Sequence, residues 1–560
     1  MDTNPGSSSG PFSNSLARGQ ACLSCRRRKM RCDGAKPVCG QCSKAGRPED
    51  CEYTMNIQGL TRSQMLEENI ALLEARIHEL ENPVQSSSVK LQPVPNLSQR
   101  QPTSSHDREG TLTPKAGSAA PNLNKDEIQR ILDRFAPHVS HVGFFLHYPR
   151  FIRRVQRSET LTAQEQQLLD ALVTTTYLLG CKFMKDPNFQ GKEQDVLSGS
   201  LQKVSDSLFI TTSSAPRNHE TLYIIQAEVL LANYFFYMGR FLEGKYHCSA
   251  AVSLTLSCGL NLIRSPLSRN ATSSTLISGV GQANALPQPT DPTEEGERIN
   301  AFWTVYGLDK YWAVATESPS AINEDGPSAT RIDTPWPLSI ETYEQSQLPQ
   351  WSSGTVSIFL QGTALSDDHG LSALEIHSKA SALFYRTFWL ISQHGQGSGG
   401  GDDGKFMNAC HELETNIQNF INSLTLIEDS AGWITDNLVS SLLIRVALIQ
   451  LYYAYQPPFS SDGAKNQVRV ADTALRMALS LRAYQFPRFN PILPVLLRLI
   501  GKVYVTEVVK LKDLGTPKSD PHLTALVESL GRIIVIMRSF STDCPLMLKQ
   551  LTELEQLNQQ

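Results

Sequence analysis

The sequence lacks an uninterrupted apolar run of about 20 residues, the length that crosses a bilayer, so no membrane-spanning helix and no membrane partner are predicted. It also lacks a phosphate-binding glycine loop, a nucleophile elbow and a metalloprotease helix, three common catalytic motifs. No apolar leader is found in the Ser- and Gly-rich residues 1–20, which argues against a secreted protein. We therefore expect neither an enzyme nor a membrane protein.

The chain has little net charge: 51 Lys and Arg stand against 55 Asp and Glu, a balance of −4 over 560 residues. The positive charge is concentrated locally. Between Arg18 and Tyr53, nine Lys or Arg accompany four Asp or Glu. A basic patch of this kind on a mildly acidic protein is typical of a surface that binds phosphates.

Six of the 11 cysteines lie close together, at Cys22, Cys25, Cys32, Cys39, Cys42 and Cys51. No histidine lies among them, so a finger with two cysteines and two histidines is excluded. One tetrahedral zinc site would leave two cysteines over, whereas two zinc ions that share two bridging thiolates use all six. Two alternatives remain open: a disulfide framework, and a zinc-held knob with a purely structural role.

The segment 21–42 resembles the fungal Zn(2)-Cys(6) binuclear cluster family, in which six cysteines hold two zinc ions. The resemblance implies that Cys22 and Cys39 are the bridging thiolates, and Pro37 matches a proline that shapes the loop between the two halves. The final gap departs from the family's frequent length of six residues, because here eight residues, 43–50, separate the last two cysteines. The predicted module spans residues 21–54.

The same resemblance implies contacts with double-stranded DNA. Lys29 matches the family's base-reading lysine, whose target is guanine in CGG-type triplets. Arg28 and Arg31 match flanking basic positions and are expected to contact phosphates. Arg26 and Arg27 are weaker candidates for the same role.

A short coiled-coil helix is predicted over residues 63–82. Its apolar residues recur at the a and d spacing of a parallel dimer: Leu66, Ile70, Leu73, Ile77 and Leu80. An ordinary amphipathic helix that packs on its own protein is the alternative. The seam predicts a homodimer, whose linker and zipper would set the spacing between two DNA half-sites.

Two segments are predicted to be disordered or flexible. Residues 1–20 and 83–125 are rich in Ser, Pro, Gln and Asn, and the second segment contains no Phe, Trp or Tyr. Such compositions bury too little apolar surface to fold. We interpret 83–125 as a linker between the cysteine module and the rest of the chain.

Residues 126–560 are predicted to form a large, all-helical domain. Segment 222–234 is apolar on most faces and predicts a deeply buried helix. The leucines of the last twenty residues predict a docking helix in preference to an activation motif: Leu546, Leu548, Leu551, Leu554 and Leu557. Segments 239–245 and 297–310 resemble the middle homology region, the regulatory domain of fungal transcription factors. The predicted fold is thus mainly α: a zinc cluster module, a short coiled coil, a flexible linker and a helical regulatory domain.

Other chemistry-bearing residues are assigned to packing. Five further cysteines are predicted to be buried thiols, because they have no ligand spacing: Cys181, Cys248, Cys258, Cys410 and Cys544. A cluster of aromatic residues and histidines over 138–151 resembles a metal site by composition, but we interpret it as core or interface packing.

The sequence as a whole predicts a nuclear, zinc-dependent, sequence-specific regulator of RNA polymerase II transcription. Its expected partners are double-stranded DNA, a second copy of the chain and transcriptional co-regulators. Two alternatives stay open. In the first, the helical domain is an enzyme and the cluster serves to target it. In the second, the cluster is an RNA- or protein-docking module.

Overall fold

The computed structural model describes residues 21–47, 50–51, 125–157, 160–184, 187–212, 219–266, 286–324, 331–362, 371–396, 403–425, 431–455, 461–480, 490–517 and 519–559. The predicted dimerisation helix 63–82, residues 1–20 and the predicted linker up to residue 124 lie outside the described residues. The chain divides into two compact units, Met1–Leu112 and Thr113–Gln560.

In the described residues of the N-terminal unit there are two five-residue helices, α1 (Leu23–Arg27) and α2 (Gly40–Lys44). Each begins directly after a cysteine, and its second cysteine lies within the helix. Such short helices are marginal by themselves, because nucleation fixes several residues for very few hydrogen bonds. Their stability must therefore come from what the cysteines bind.

The C-terminal unit is built from α-helices, and no strand occurs in the described parts of the chain, so the all-helical prediction is confirmed. Its helices are α3 (Lys125–Phe135), α4 (Tyr148–Gln156), α5 (Ala163–Phe183), α6 (Pro187–Thr212), α7 (Thr221–Tyr237), α8 (Phe241–Ser257), α9 (Pro292–Ala315), α10 (Ile340–Glu344), α11 (Thr355–Leu360), α12 (Ala373–Gln396), α13 (Asp403–Thr425), α14 (Ala431–Tyr455), α15 (Ser461–Ser480), α16 (Leu493–Asp513), α17 (Pro521–Ser541) and α18 (Pro545–Gln559).

Helix α7 is buried along its whole length, as its apolar composition predicts. It packs between α5 and α8. The contact with α8 is close because a side chain is missing at Gly244, where an added Cβ would lie 2.6 Å from the Phe236 ring. Helix α8 ends at Ser257, two residues before Gly259, which adopts the left-handed conformation that favours glycine.

Helix α9 is the second buried element and packs against α8 and α12. It begins at Asp291, whose carboxylate accepts a hydrogen bond from the Glu294 N–H. Lys310, 1% exposed, donates to the Ile322 carbonyl at 2.7 Å and lies over the Tyr385 ring. Because a buried ammonium needs such partners, this contact holds the loop after α9 against the helix.

A buried charged cluster connects the start of α7 to α9. The two imidazole nitrogens of His219 lie 3.3 Å from a Glu294 oxygen and 3.2 Å from a Glu297 oxygen. Burial alone lowers the pKa of His219, but the contacts with Glu294 and Glu297 outweigh it and raise the pKa to about 9. The His219 side chain is therefore charged at neutral pH and ties the two elements together.

The C-terminal helices extend the same core. Helix α12 packs on α14, α14 on α15, and α16 on both α17 and α18. In α18, Leu546, Leu551 and Leu554 are buried, and Gly501 of α16 lies directly against Leu554, which confirms the predicted docking helix. Of the other two leucines, Leu557 is partly buried and Leu548 is exposed.

One helix in the described residues is long and apolar enough to cross a membrane by length and composition. It covers the 22 residues Trp433–Ala454 within α14, and 78% of the apolar stretch is buried in the helical unit. This burial is what a core helix of the domain shows.

Most of the residues that we assigned to packing are buried in the core, and His138, His141 and Tyr148 are partly buried. All five scattered cysteines are buried. In the 138–151 cluster, Phe144, Phe145 and Phe151 are buried, and the ring of His138 contacts the edge of Phe183. Among the described residues, the groups with metal-ligand geometry all lie in the cysteine module.

Candidate metal centre and nucleic-acid interface

The cysteine module is a structural repeat. The sulfur of Cys22 accepts the Cys25 N–H at 3.4 Å, and the sulfur of Cys39 accepts the Cys42 N–H at the same distance. Each Cys-x2-Cys pair therefore caps and begins one short helix. Hydrogen bonds from helix N–H groups favour the thiolate form of a cysteine, which is the form that binds metals.

Four sulfur atoms form a compact group at the centre of this repeat. Cys22 lies 3.7 Å from Cys39 and 3.8 Å from Cys42, and Cys25 lies 3.6 and 4.0 Å from the same two sulfurs. In a tetrahedral zinc site with bonds of 2.3 Å, neighbouring sulfurs are separated by about 3.8 Å. The distances fit a zinc ion and exclude disulfides, whose sulfurs lie about 2.05 Å apart.

The remaining two cysteines adjoin this group through Cys39. The Cys39 N–H donates to the Cys51 sulfur at 3.2 Å, and the ligand atoms of Cys32 and Cys39 fall within 4.8 Å of each other. All six cysteines are buried. A single four-thiolate site does not use Cys32 and Cys51, whereas a second metal that shares two thiolates with the first does. The bridging role of Cys22 and Cys39 remains a prediction.

The thiols differ in acidity. Burial by itself raises the pKa of Cys39, but hydrogen bonds from Cys42, Cys25 and Cys22 lower it to about 6. Burial raises the pKa of Cys25 to about 12 and that of Cys22 further. Cys39 is thus more acidic than Cys22 and Cys25, and a bound dication would lower the pKa of all three thiols.

Asp33 is a residue of the module that sequence reasoning missed. Its carboxylate accepts the Gly40 N–H at 2.9 Å and the Ala35 N–H at 3.2 Å, so it ties the first half of the module to the start of α2. Its oxygen also lies near the Cys32 and Cys39 sulfurs. An acidic residue directly after the third cysteine, within a basic segment, was the available signal.

The basic residues lie at the end of α1. The side chains of Arg27, Arg28, Lys29 and Arg31 are all exposed. Arg26 lies in α1, and its side chain is not among those that the structure describes. Arg28 and Arg47 lie 3.8 and 4.0 Å from the Asp50 carboxylate. Exposed ion pairs at these distances are weak, so they leave the cationic side chains available for phosphates.

The backbone of Lys29 is unusual. It adopts a left-handed conformation with φ 52°, and the following Met30 N–H bonds back to the Cys25 carbonyl at 2.9 Å. The second half repeats this ending, with Gly46 at φ 65° and the Arg47 N–H bonded to the Cys42 carbonyl. Glycine adopts this conformation without strain, whereas lysine does not. The strained position thus carries a long cationic side chain.

The predicted dimerisation residues Leu66, Ile70, Leu73, Ile77 and Leu80 lie outside the described residues.

Comparison with known families agrees with both units. Residues 20–59 match the fungal Zn(2)-Cys(6) binuclear cluster domain. Residues 132–443, more than half of the chain, match the fungal specific transcription factor domain. The chain belongs to the fungal specific transcription factor family. Its N-terminal module is the Zn(2)-Cys(6) type, which holds two zinc ions with six cysteines, as the sequence predicts.

Curated proteins to which the chain is similar include two that are named as transcriptional regulators of biosynthesis. The chain is 26% identical over 333 residues to the notoamide biosynthesis cluster transcriptional coactivator notQ' of Aspergillus versicolor, an alignment that covers 57% of this chain and 58% of the relative. It is 24% identical over 343 residues to the citrinin biosynthesis transcriptional activator mrl3 of Monascus ruber, with coverage of 55% and 62%.

A third relative matches a shorter stretch. Over 67 residues the chain is 42% identical to the transcriptional activator protein acu-15 of Neurospora crassa, which covers 11% of this chain and 7% of the relative. The chain spans about three fifths of the length of the first two relatives.

Proposed function

We propose that this chain is a zinc-dependent, sequence-specific DNA-binding regulator of RNA polymerase II transcription. It acts in the nucleus, binds CGG-type half-sites as a homodimer and works with transcriptional co-regulators. Its ligands for the two zinc ions are Cys22, Cys25, Cys32, Cys39, Cys42 and Cys51.

The observation that carries this proposal is the exposed run of cationic side chains on a turn fixed by the cysteines. Arg27 is the last residue of a helix that begins at the sulfur cluster, and Arg28, Lys29 and Arg31 lie within the four residues after it. A rigid cationic element loses little conformational entropy on docking, so its charge is available for binding energy. Counterion release from phosphates then supplies affinity that does not depend on sequence.

Sequence preference requires at least one contact with base edges. Lys29 is the best candidate, because its left-handed backbone follows the last turn of α1 and its side chain is exposed. A lysine ammonium pairs with the O6 and N7 acceptors of guanine in the major groove. Arg28, Arg31, Arg27 and Arg26 are assigned to the phosphates on either side.

Family membership and the names of the relatives support regulation over the two alternatives. The relatives are transcriptional activators and a coactivator, which favours a regulator over an enzyme that uses the cluster for targeting. An RNA- or protein-docking role for the cluster makes a distinct prediction: duplex DNA should not displace single-stranded RNA from the module at fixed salt concentration.

The test is selection of duplex sites from a random pool by the zinc-loaded full chain. The proposal expects paired CGG-type triplets at a fixed spacing. Lys29→Ala should cost roughly 1–3 kcal/mol on the selected site and reduce discrimination against scrambled duplex. Lys44→Ala removes an exposed lysine from the end of α2 and serves as the matched control. Equal losses on selected and scrambled duplex for both variants would contradict the base-reading role of Lys29.

A further inference from the structure

The helical unit contains a large cavity to which the cluster chemistry assigns no role. Its volume is about 760 Å³, within the range of small-molecule sites, and it is lined by α7, α9, α12 and α14 and by the segment 139–149. Apolar and aromatic side chains form much of its wall, including Phe144, Leu308, Tyr311 and Val439. A space of this size and lining suits a molecule with a ring-sized apolar body.

Buried polar atoms in the wall have no partner. Asn233 and Asn300 are 4% and 7% exposed, and the side-chain oxygen of each makes no hydrogen bond. The orientation of Asn233 is fixed, because its amide nitrogen donates to the Val142 carbonyl at 2.9 Å. Since buried polar groups are nearly always paired, two unpaired acceptors in one cavity wall call for donors from outside the chain, either a bound molecule or ordered water.

Of the histidines in the wall, His147 follows the same pattern. His147 is 5% exposed; its Nε2 lies 3.0 Å from a Glu344 oxygen, whereas its Nδ1 has no partner. When Nε2–H donates to Glu344, Nδ1 is a third acceptor. Burial lowers the pKa of His377 to about 4, so this imidazole is neutral, and its Nδ1 lies 3.1 Å from the Ser440 hydroxyl.

The charges around the cavity have one sign. Glu341, Glu344 and Asp436 contribute carboxylates to the lining, and no Lys or Arg is found in the part of the lining that the structure describes. All three carboxylates are exposed, so water and salt screen them, but their summed negative potential still attracts cations and repels anions. A ligand with a carboxylate or phosphate group would therefore lack a counter-charge here.

We propose that this cavity binds a small organic molecule with an aromatic body and N–H donors, neutral or singly cationic, that hydrogen-bonds to Asn233 and Asn300. The proposal concerns the helical unit alone and does not depend on the DNA-binding function.

Three probes of the same size and ring system test it: indole-3-acetamide, tryptamine and indole-3-acetate. They differ in charge at one end, and calorimetric titration of each into the zinc-loaded full chain measures its affinity. The amide and the amine should bind at least about tenfold more tightly than the acetate, because only the acetate faces like charge. Asn300→Ala should weaken the amide by about tenfold through loss of an acceptor.

Two tryptophan substitutions on α12 locate the site. Ala373 is exposed and lines the cavity, so Ala373→Trp should occlude it and weaken the amide at least about tenfold. Gln393 is exposed on the same helix outside the lining, and Gln393→Trp should leave binding unchanged. The proposal is overturned if none of the probes binds at millimolar concentration, if the acetate binds as tightly as the amide, or if both tryptophan variants reduce binding equally.

Discussion

Replacing Lys29 with glycine should strengthen the fold of the cysteine module and weaken its discrimination between DNA sequences. The reason lies in the repeat of the module, where Lys29 and Gly46 occupy equivalent left-handed positions at φ 52° and 65°. Lysine is strained there and glycine is not, so the two effects of the substitution separate backbone strain from side-chain function.

The strain in the left-handed conformation is about 1–2 kcal/mol for a residue with a side chain. Glycine recovers this but gains freedom in the unfolded chain, which costs about 0.4–1 kcal/mol. The net stabilisation is therefore about 0.5–1 kcal/mol. Because zinc binding and folding share one free energy in such modules, this corresponds to roughly two- to fivefold tighter zinc binding. Loss of the ammonium should at the same time cost about 1–3 kcal/mol on the preferred duplex.

Zinc competition with a chromogenic chelator measures the first effect, and binding to preferred and scrambled duplexes at one salt concentration measures the second. Gly46→Ala is the matched control. Its added Cβ would meet no atom within 4 Å, so it introduces backbone strain without a clash. We expect weaker zinc binding in this variant by about 1 kcal/mol and unchanged discrimination between duplexes.

Two results would refute this reasoning. Weaker zinc binding in Lys29→Gly would mean that the left-handed lysine is not strained. Unchanged discrimination in the same variant would mean that the Lys29 side chain does not read bases.

Three further predictions concern the metal, the core and pH. Chelation of zinc should make hydrogen exchange fast across residues 22–51 and leave the helical unit protected; protection that survives a strong chelator would contradict a metal-held module. Gly244→Ala should lower the free energy of unfolding by about 1–3 kcal/mol, because the added Cβ would clash with the Phe236 ring on α7. Gly531→Ala, which has open space around it, should raise the free energy of unfolding by about 0.5–1 kcal/mol. Denaturant titration measures both changes, and similar effects of the two substitutions would refute the packing argument. Because the pKa of His219 is raised from 6.5 to about 9, its contribution to the free energy of unfolding is complete below pH 6.5 and is lost as pH rises through 9. The pKa of Glu294 is lowered, so the stability that its carboxylate adds is lost only in strong acid. His219→Gln should flatten the decline in the denaturation midpoint between pH 6.5 and 9, and an unchanged decline would assign it to another group.

The cysteine module was largely predictable because its chemistry depends on residue type and spacing. Six cysteines without a histidine admit few metal arrangements, and the basic run is visible in the sequence. The conformation of Lys29 and the hydrogen bonds of Asp33 were not predictable, because they follow from how the two halves of the module face each other.

The helices were predictable for a similar reason. An apolar segment such as α7 and a glycine such as Gly259 determine local structure through hydrophobic periodicity and backbone freedom. The order in which these helices pack was not predictable, because it depends on contacts between residues far apart in the chain. The close α7–α8 contact, for example, needs Gly244 opposite Phe236.

The sequence by itself determined a metal-held basic module and an all-helical domain, since thiol spacing and helical periodicity are local properties. Only the tertiary structure decided that the histidines and aromatic residues of 138–151 contribute both to the core and to a cavity wall with Asn233 and Asn300. These residues lie on segments separated by up to about 160 positions, and whether a buried polar atom has a partner depends on which segments the fold brings together.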